Sequence, residues 1–159
     1  IVDFATFAAG SEVSEMSCRL VTFDKAEGGK IGEYTLDAND SMSMHVRLAN
    51  GAMGVIHASR FATGHFNDLS LKVFGTKGAI EVFDAQHEST MRVCLGEDIH
   101  GPKWTSVTAP KTASIIEKFV DAIRTGKQVY PDFARGAALQ KALDTAVDSD
   151  AQNGLSLTV

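Results

Sequence analysis

Hydrophobic and polar residues alternate most cleanly between Asp40 and Phe83, which predicts antiparallel strands joined by glycine turns. Met42, Met44, Val46 and Leu48 interleave with Ser41, Ser43, His45 and Arg47. Asn50-Gly51 follows, a pair that tolerates the positive φ angles of a tight hairpin. Met53, Val55, His57 and Ser59 then carry the chain outward. A two-residue turn at Asn50-Gly51 predicts Leu48 opposite Met53, Val46 opposite Val55 and Met44 opposite His57. One face is then apolar, while the other collects Ser43, His45, Arg47, Ile56, Ala58 and Arg60. Leu69, Leu71 and Val73 predict a third strand, Gly75-Thr76-Lys77-Gly78 a turn, and Ile80, Val82 and Phe83 a fourth.

Looser alternation predicts further strands at Val13–Phe23, Met91–Leu95, Thr105–Val107 and Leu155–Val159. The period changes after Lys111. Ile115, Ile116, Phe119, Val120 and Ile123 fall on one helical stripe, with Thr112 or Ser114 as cap and Gly126 as stop. A longer helix is predicted from Phe133 to about Gln152, with Leu139, Leu143, Ala146 and Val147 on one side. The opening segment Ile1–Gly10 also has a helix pattern, with no cap before it, and reads as a chain cut within or just before that helix. Strands followed by helices predict an α+β fold: a mostly antiparallel open sheet with helices packed on one face. The other sheet face is left in need of a partner. A length of 159 residues suits one domain, read here as spanning residues 1–159.

Composition narrows the function classes. A net charge of −5 with no clustered basic face argues against nucleic-acid binding. No apolar run approaches the ~20 residues of a membrane span, and no secretory leader pattern is present, so a cytoplasmic location is expected. Cys18 and Cys94 have no metal-ligand spacing and read as reduced thiols. His45, His57, His65, His87 and His100 show no ligand spacing either, and the predicted register puts His45 and His57 on opposite faces, so no metal site is expected. Gly28, Gly29 and Gly32 lead into Glu33-Tyr34-Thr35, not into a helix, so they read as a loop and not as a dinucleotide cradle. Arg60 closes a strand on the mixed face and reads as an anion or hydroxyl binder. His65 lies in a glycine-containing loop beside Asn67 and Asp68, a place suited to a polar ligand contact.

Three segments together resemble a known family. They are Leu-Ala-Asn-Gly-Ala-Met-Gly-Val-Ile-His-Ala-Ser-Arg (Leu48–Arg60), Leu-Lys-Val-Phe-Gly-Thr-Lys-Gly-Ala-Ile (Leu71–Ile80), and Tyr130-Pro131-Asp132-Phe133 leading into Gln140, Leu143, Asp144 and Ser149. In this order and spacing the chain resembles the C-terminal domain of the Gfo/Idh/MocA oxidoreductases, the glucose–fructose oxidoreductase and inositol dehydrogenase family. The resemblance implies a two-domain enzyme that transfers hydride between a sugar or polyol carbon and NAD or NADP. Its Rossmann domain, with a catalytic lysine in a Glu-Lys-Pro motif, would lie outside this chain. Asp3 matches the aspartate of the family's His-x-x-Asp motif, whose histidine would fall immediately before Ile1. The resemblance further implies a sheet that lines the substrate pocket and pairs subunits into a homodimer or tetramer. Arg60, His65 and Asn67 are then the candidate substrate contacts, and Ser43, His45, Arg47 and Ile56 the candidate interface. This chain alone is expected to be inactive and to bind no cofactor. Two other readings share the fold: part of an NAD-dependent glycosidase, or a non-catalytic module that pairs through its sheet.

Overall fold

The computed structural model describes residues 1–101 and 103–159. In chain order the elements are α1 (Val2–Ala9), β1 (Val13–Val21), β2 (Lys30–Ile31), β3 (Tyr34–Thr35), β4 (Ser41–Leu48), β5 (Met53–Ser59), β6 (Leu69–Gly75), β7 (Gly78–Ala85), β8 (Glu88–Leu95), β9 (Thr105–Ser106), α2 (Ile115–Thr125), α3 (Phe133–Ala151) and β10 (Leu157–Thr158). Every strand pairing among the described residues is antiparallel. The class is α+β, as the strand and helix pattern predicts. The alternating run from Asp40 to Phe83 does not form one sheet, however. It divides between β5 and β6, giving sheets ordered β10-β1-β4-β5 and β6-β7-β8-β9, with β2 and β3 as a small ribbon. The chain correspondingly forms two compact units, residues 1–66 with 140–159, and residues 67–139.

The first unit is built on β4 and its neighbours. Met44, Val46 and Leu48 are buried, as are Met16 and Cys18 of β1 and Ile56 of β5. Met16 lies opposite Val46, Cys18 opposite Met44, and Met44 opposite Ile56, so one sheet face carries this core. The helices of the unit add Val2 of α1 and Ala142 and Ala146 of α3, small residues that let a helix approach the sheet closely. The edge of β1 beyond its short pairing with β10 is closed by side chains of α3. The Cys18 N–H donates to Ser149 Oγ at 2.9 Å, and the Leu20 N–H donates to Asp150 Oδ1 at 3.0 Å. An otherwise open strand edge is thereby satisfied.

The β4–β5 turn corrects the predicted register. The Leu48 N–H donates to Ala52 O and the Gly51 N–H to Leu48 O, so three residues, not two, lie outside the ladder. Gly51 takes φ 88°, the left-handed residue that closes such a loop. Asn50 is engaged elsewhere, with its N–H on Ser11 Oγ and its amide on Ala9 O. The ladder therefore slips by one residue: Arg47 faces Met53, His45 faces Val55 and Ser43 faces His57. Ile56 moves to the core face, and Val55 and Met53 come to the open face at 65% and 75% exposure. His45 and His57 share the open face, contrary to the predicted register. Even so, no group of three metal-ligating side chains occurs among the described residues.

In the second unit, Leu71, Val82 and Met91 line up across β6, β7 and β8, as do Val73, Ile80 and Val93. The opposite face carries Lys72, Glu81 and Arg92 in register, with Glu81 paired to both cations. The predicted cap of α2 is Ser114. Its hydroxyl accepts the Glu117 N–H at 3.2 Å, while the Ser114 N–H donates to the Glu117 carboxylate at 2.7 Å. The Ser114 N–H, together with the Ser114 hydroxyl that donates to the same carboxylate at 2.8 Å, holds the Glu117 carboxyl below its ordinary pKa. The apolar stripe of α2 is exposed, with Ile116 at 72% and Ile123 at 68%.

Candidate functional site

The exits of β1 and β5 and the entry of β4 meet at one corner of the first unit's sheet, and Asp40 joins them. Its N–H donates to Val21 O at 2.8 Å, and its carbonyl accepts the Arg60 N–H at 2.8 Å. Its buried carboxylate accepts the Phe23 N–H at 2.9 Å and the Lys25 ammonium at 2.9 Å. Lys25 also donates to Ala38 O at 3.1 Å, which closes the base of the connection carrying β2 and β3. The Lys25 ammonium and the Phe23 N–H hold the Asp40 carboxyl below its ordinary pKa, and the nearby Arg60 charge acts in the same direction. Asp40 is therefore an anion whose charge is already matched.

A pocket of about 360 Å³ opens beside this clasp. Leu20, Met42 and Ala58 form its apolar floor, and Leu143 and Val147 of α3 one wall. Asn39, Asp40, Ser59 and Arg60 form its polar rim. Ser59 Oγ accepts the Phe61 N–H at 3.0 Å, and the Phe61 ring stands 4.7 Å from that of Phe23. These contacts fix the backbone that presents Arg60. The Arg60 guanidinium is exposed and has no hydrogen-bond or ion-pair partner among the described residues.

The other sequence candidates are scattered. His65 follows β5 in an exposed bend closed by its own N–H on Ala62 O at 2.9 Å. Asn67 has φ 55° and opens the second unit. Asp3 lies half-buried in the first turn of α1, with its carbonyl accepting the Thr6 hydroxyl at 3.1 Å. On the opposite face of the first sheet, Ser43, His45 and Arg47 are exposed as expected, whereas Ile56 is only 5% exposed and belongs to the core. A second groove there, of about 380 Å³, is lined by Glu15, Ser17, His45, Arg47, Met53 and Val55. Arg47 reaches Glu15 at 3.9 Å, a solvent-exposed pair of small energetic weight. Asp40 and Lys25 escape sequence reasoning, because the fourteen-residue span between them carries no period that would predict their meeting.

The profile of the GFO/IDH/MocA C-terminal domain matches residues 1–81. The chain belongs to this family. Inositol 2-dehydrogenase of Rhizobium meliloti (strain 1021) is 31% identical over 155 residues, which span 94% of this chain and 44% of the relative. Levoglucosan dehydrogenase of Pseudarthrobacter phenanthrenivorans is 29% identical over 147 residues, 79% of this chain and 37% of the relative. Among solved structures, levoglucosan dehydrogenase in complex with NADH and L-sorbose aligns over 100% of this chain and 48% of its own, with TM-score 0.78 and 24% identity. An oxidoreductase domain protein from Kribbella flavida aligns over 99% of this chain and 47% of its own, with TM-score 0.77 and 21% identity. This Gfo/Idh/MocA domain thus spans less than half the length of these relatives.

The family implies a nicotinamide dinucleotide, and the described residues do not fit one. A dinucleotide cradle needs a strand, a glycine turn and a helix N-terminus in succession within a parallel sheet. Here the ladders are antiparallel, and Gly28, Gly29 and Gly32 border β2 and β3. No helix of the described residues is long and apolar enough to cross a membrane.

Proposed function

We propose that this chain is the substrate-facing and subunit-pairing domain of an NAD(P)-dependent dehydrogenase acting on a sugar, polyol or related hydroxy compound. The family match carries the reading, and the relatives' names, inositol 2-dehydrogenase and levoglucosan dehydrogenase, supply the substrate class. Because both relatives are dehydrogenases, this reading is preferred to the glycosidase alternative. The dinucleotide, when bound, accepts or supplies hydride, and its binding residues lie outside those described. This chain contributes the Arg60 pocket, with His65 and Asn67 as further candidate contacts and Asp3 as the match to the family's aspartate. The two cysteines, both free and buried, suit a reducing compartment such as the cytoplasm. The exposed stripe of α2 is suited to cover by another domain. The open face with Ser43, His45, Arg47, Met53 and Val55 is the proposed subunit contact.

Two measurements test the proposal. The whole protein is expected to form NADH or NADPH from an inositol or anhydrosugar panel, with Arg60→Ala raising KM or lowering kcat. The isolated chain is expected to show no tight NAD(P) binding by calorimetry. Micromolar affinity of this chain for NAD, or full activity of Arg60→Ala on every substrate turned over, would sink the assignment.

A further inference from the structure

The pocket at Arg60 has an unusual balance of donors and acceptors. Its one carboxylate, Asp40, already accepts from Lys25 and Phe23 and has little capacity left for a ligand hydroxyl. Ser59 has its oxygen engaged by the Phe61 N–H, which leaves its hydroxyl proton to give. The Arg60 guanidinium makes no hydrogen bond or close ion pair among the described residues, although its charge acts on Asp40, and it adds a planar fork of donors. Apart from Asn39, whose amide can both donate and accept, the rim therefore seeks oxygen acceptors. With Lys25 neutralising Asp40, Arg60 leaves the corner with a single positive charge. That single positive charge is matched by a monoanion. The floor of Leu20, Met42 and Ala58 suits the C–H side of a short carbon chain.

We propose that this pocket takes a sugar acid, with the Arg60 guanidinium clasping its carboxylate and the apolar floor carrying its carbon chain. The inference rests on the sugar or polyol reading above only for the hydroxylated chain; the carboxylate comes from the donor and charge balance here.

Calorimetric titration of this chain with gluconate, with the neutral glucitol of equal length, and with glucose 6-phosphate tests it. Gluconate is expected to bind about tenfold or more tightly than glucitol, the scale of one charge-assisted contact, and the preference should shrink as salt is raised. Arg60→Gln should bring gluconate to the level of glucitol with the thermal midpoint unchanged. Arg60→Lys, which keeps the charge but loses the fork, should retain part of the preference. Equal binding of gluconate and glucitol, a preference that survives Arg60→Gln, or no binding of any of the three overturns the proposal. Tighter binding of glucose 6-phosphate than of gluconate overturns the carboxylate in favour of a phosphate. Because no turnover is read, the two proposals fail separately. Dehydrogenase activity of the whole protein on neutral polyols, without a gluconate preference in this chain, would leave the proposed function intact and remove this inference.

Discussion

Asp40 shows how much one side chain can decide. Its backbone and carboxylate together join the ends of β1, β4 and β5 and, through Lys25, the base of the β2–β3 connection. Its carboxyl has a lowered pKa in the folded state. The stabilisation is therefore present above the ordinary carboxylate range and is lost as pH falls through the lowered value. Asp40→Asn is expected to lower the thermal midpoint at neutral pH and to flatten its decline as pH falls through and below the ordinary carboxylate range. A parallel decline in both proteins would show that Asp40 does not control this limb. The sequence singled out Arg60 as the end of an alternating strand on a mixed face, but the one-residue slip puts Ile56 and Ala58 on the core face with Met44 and Met42, and Arg60 follows them in the alternation. Asp40 was not singled out, because its partners lie in two other segments, Phe23 and Lys25 in one and Arg60 in the other, and no local pattern announces their meeting.

At the level of elements, turn geometry decided what alternation left open. Alternation sorts residues into two sets but does not say which set of β5 joins which set of β4. The additional loop residue at Ala49, Asn50 and Gly51 placed Ile56 beside Met44 and exposed Val55 beside His45. The β6–β7 turn depends on a glycine for a different reason. Gly78 has φ 150°, and a Cβ there would come within 2.4 Å of Leu95 Cδ2 and 2.5 Å of Cys94 O. Gly78→Ala is expected to destabilise the second unit by at least about 1–3 kcal/mol, read as a shift in the denaturant midpoint at unchanged slope. A midpoint within error of the parent would mean that β8 moves aside at little cost. The helices were easier to read: the predicted stripe of α2 and one of its two predicted caps, Ser114, are present.

For the whole molecule, exposed apolar side chains give the firmest expectation. Met53 and Val55 stand on the open face beside His45 and Arg47, and single charges placed there oppose association without touching the core. Val55→Asp is expected to shift sedimentation of the chain from an associated species to a smaller one, with circular dichroism unchanged. If the parent already sediments as a monomer, or the variant associates equally, the open face is not the subunit contact. Although the short strands β2 and β3 formed in a stretch that read as a loop, the class of fold, the helices, the longer strands and the family resemblance were legible in the sequence. These rest on local periodicity, turn residues and short motifs, which any window of the chain carries. Tertiary contacts alone decided the break between β5 and β6, the one-residue slip that buried Ile56, and the clasp of Lys25 on Asp40 beside the Arg60 pocket. Those outcomes depend on hydrogen bonds between segments distant in sequence, such as Phe23 to Asp40 and Asn50 to Ser11, and no local pattern encodes them.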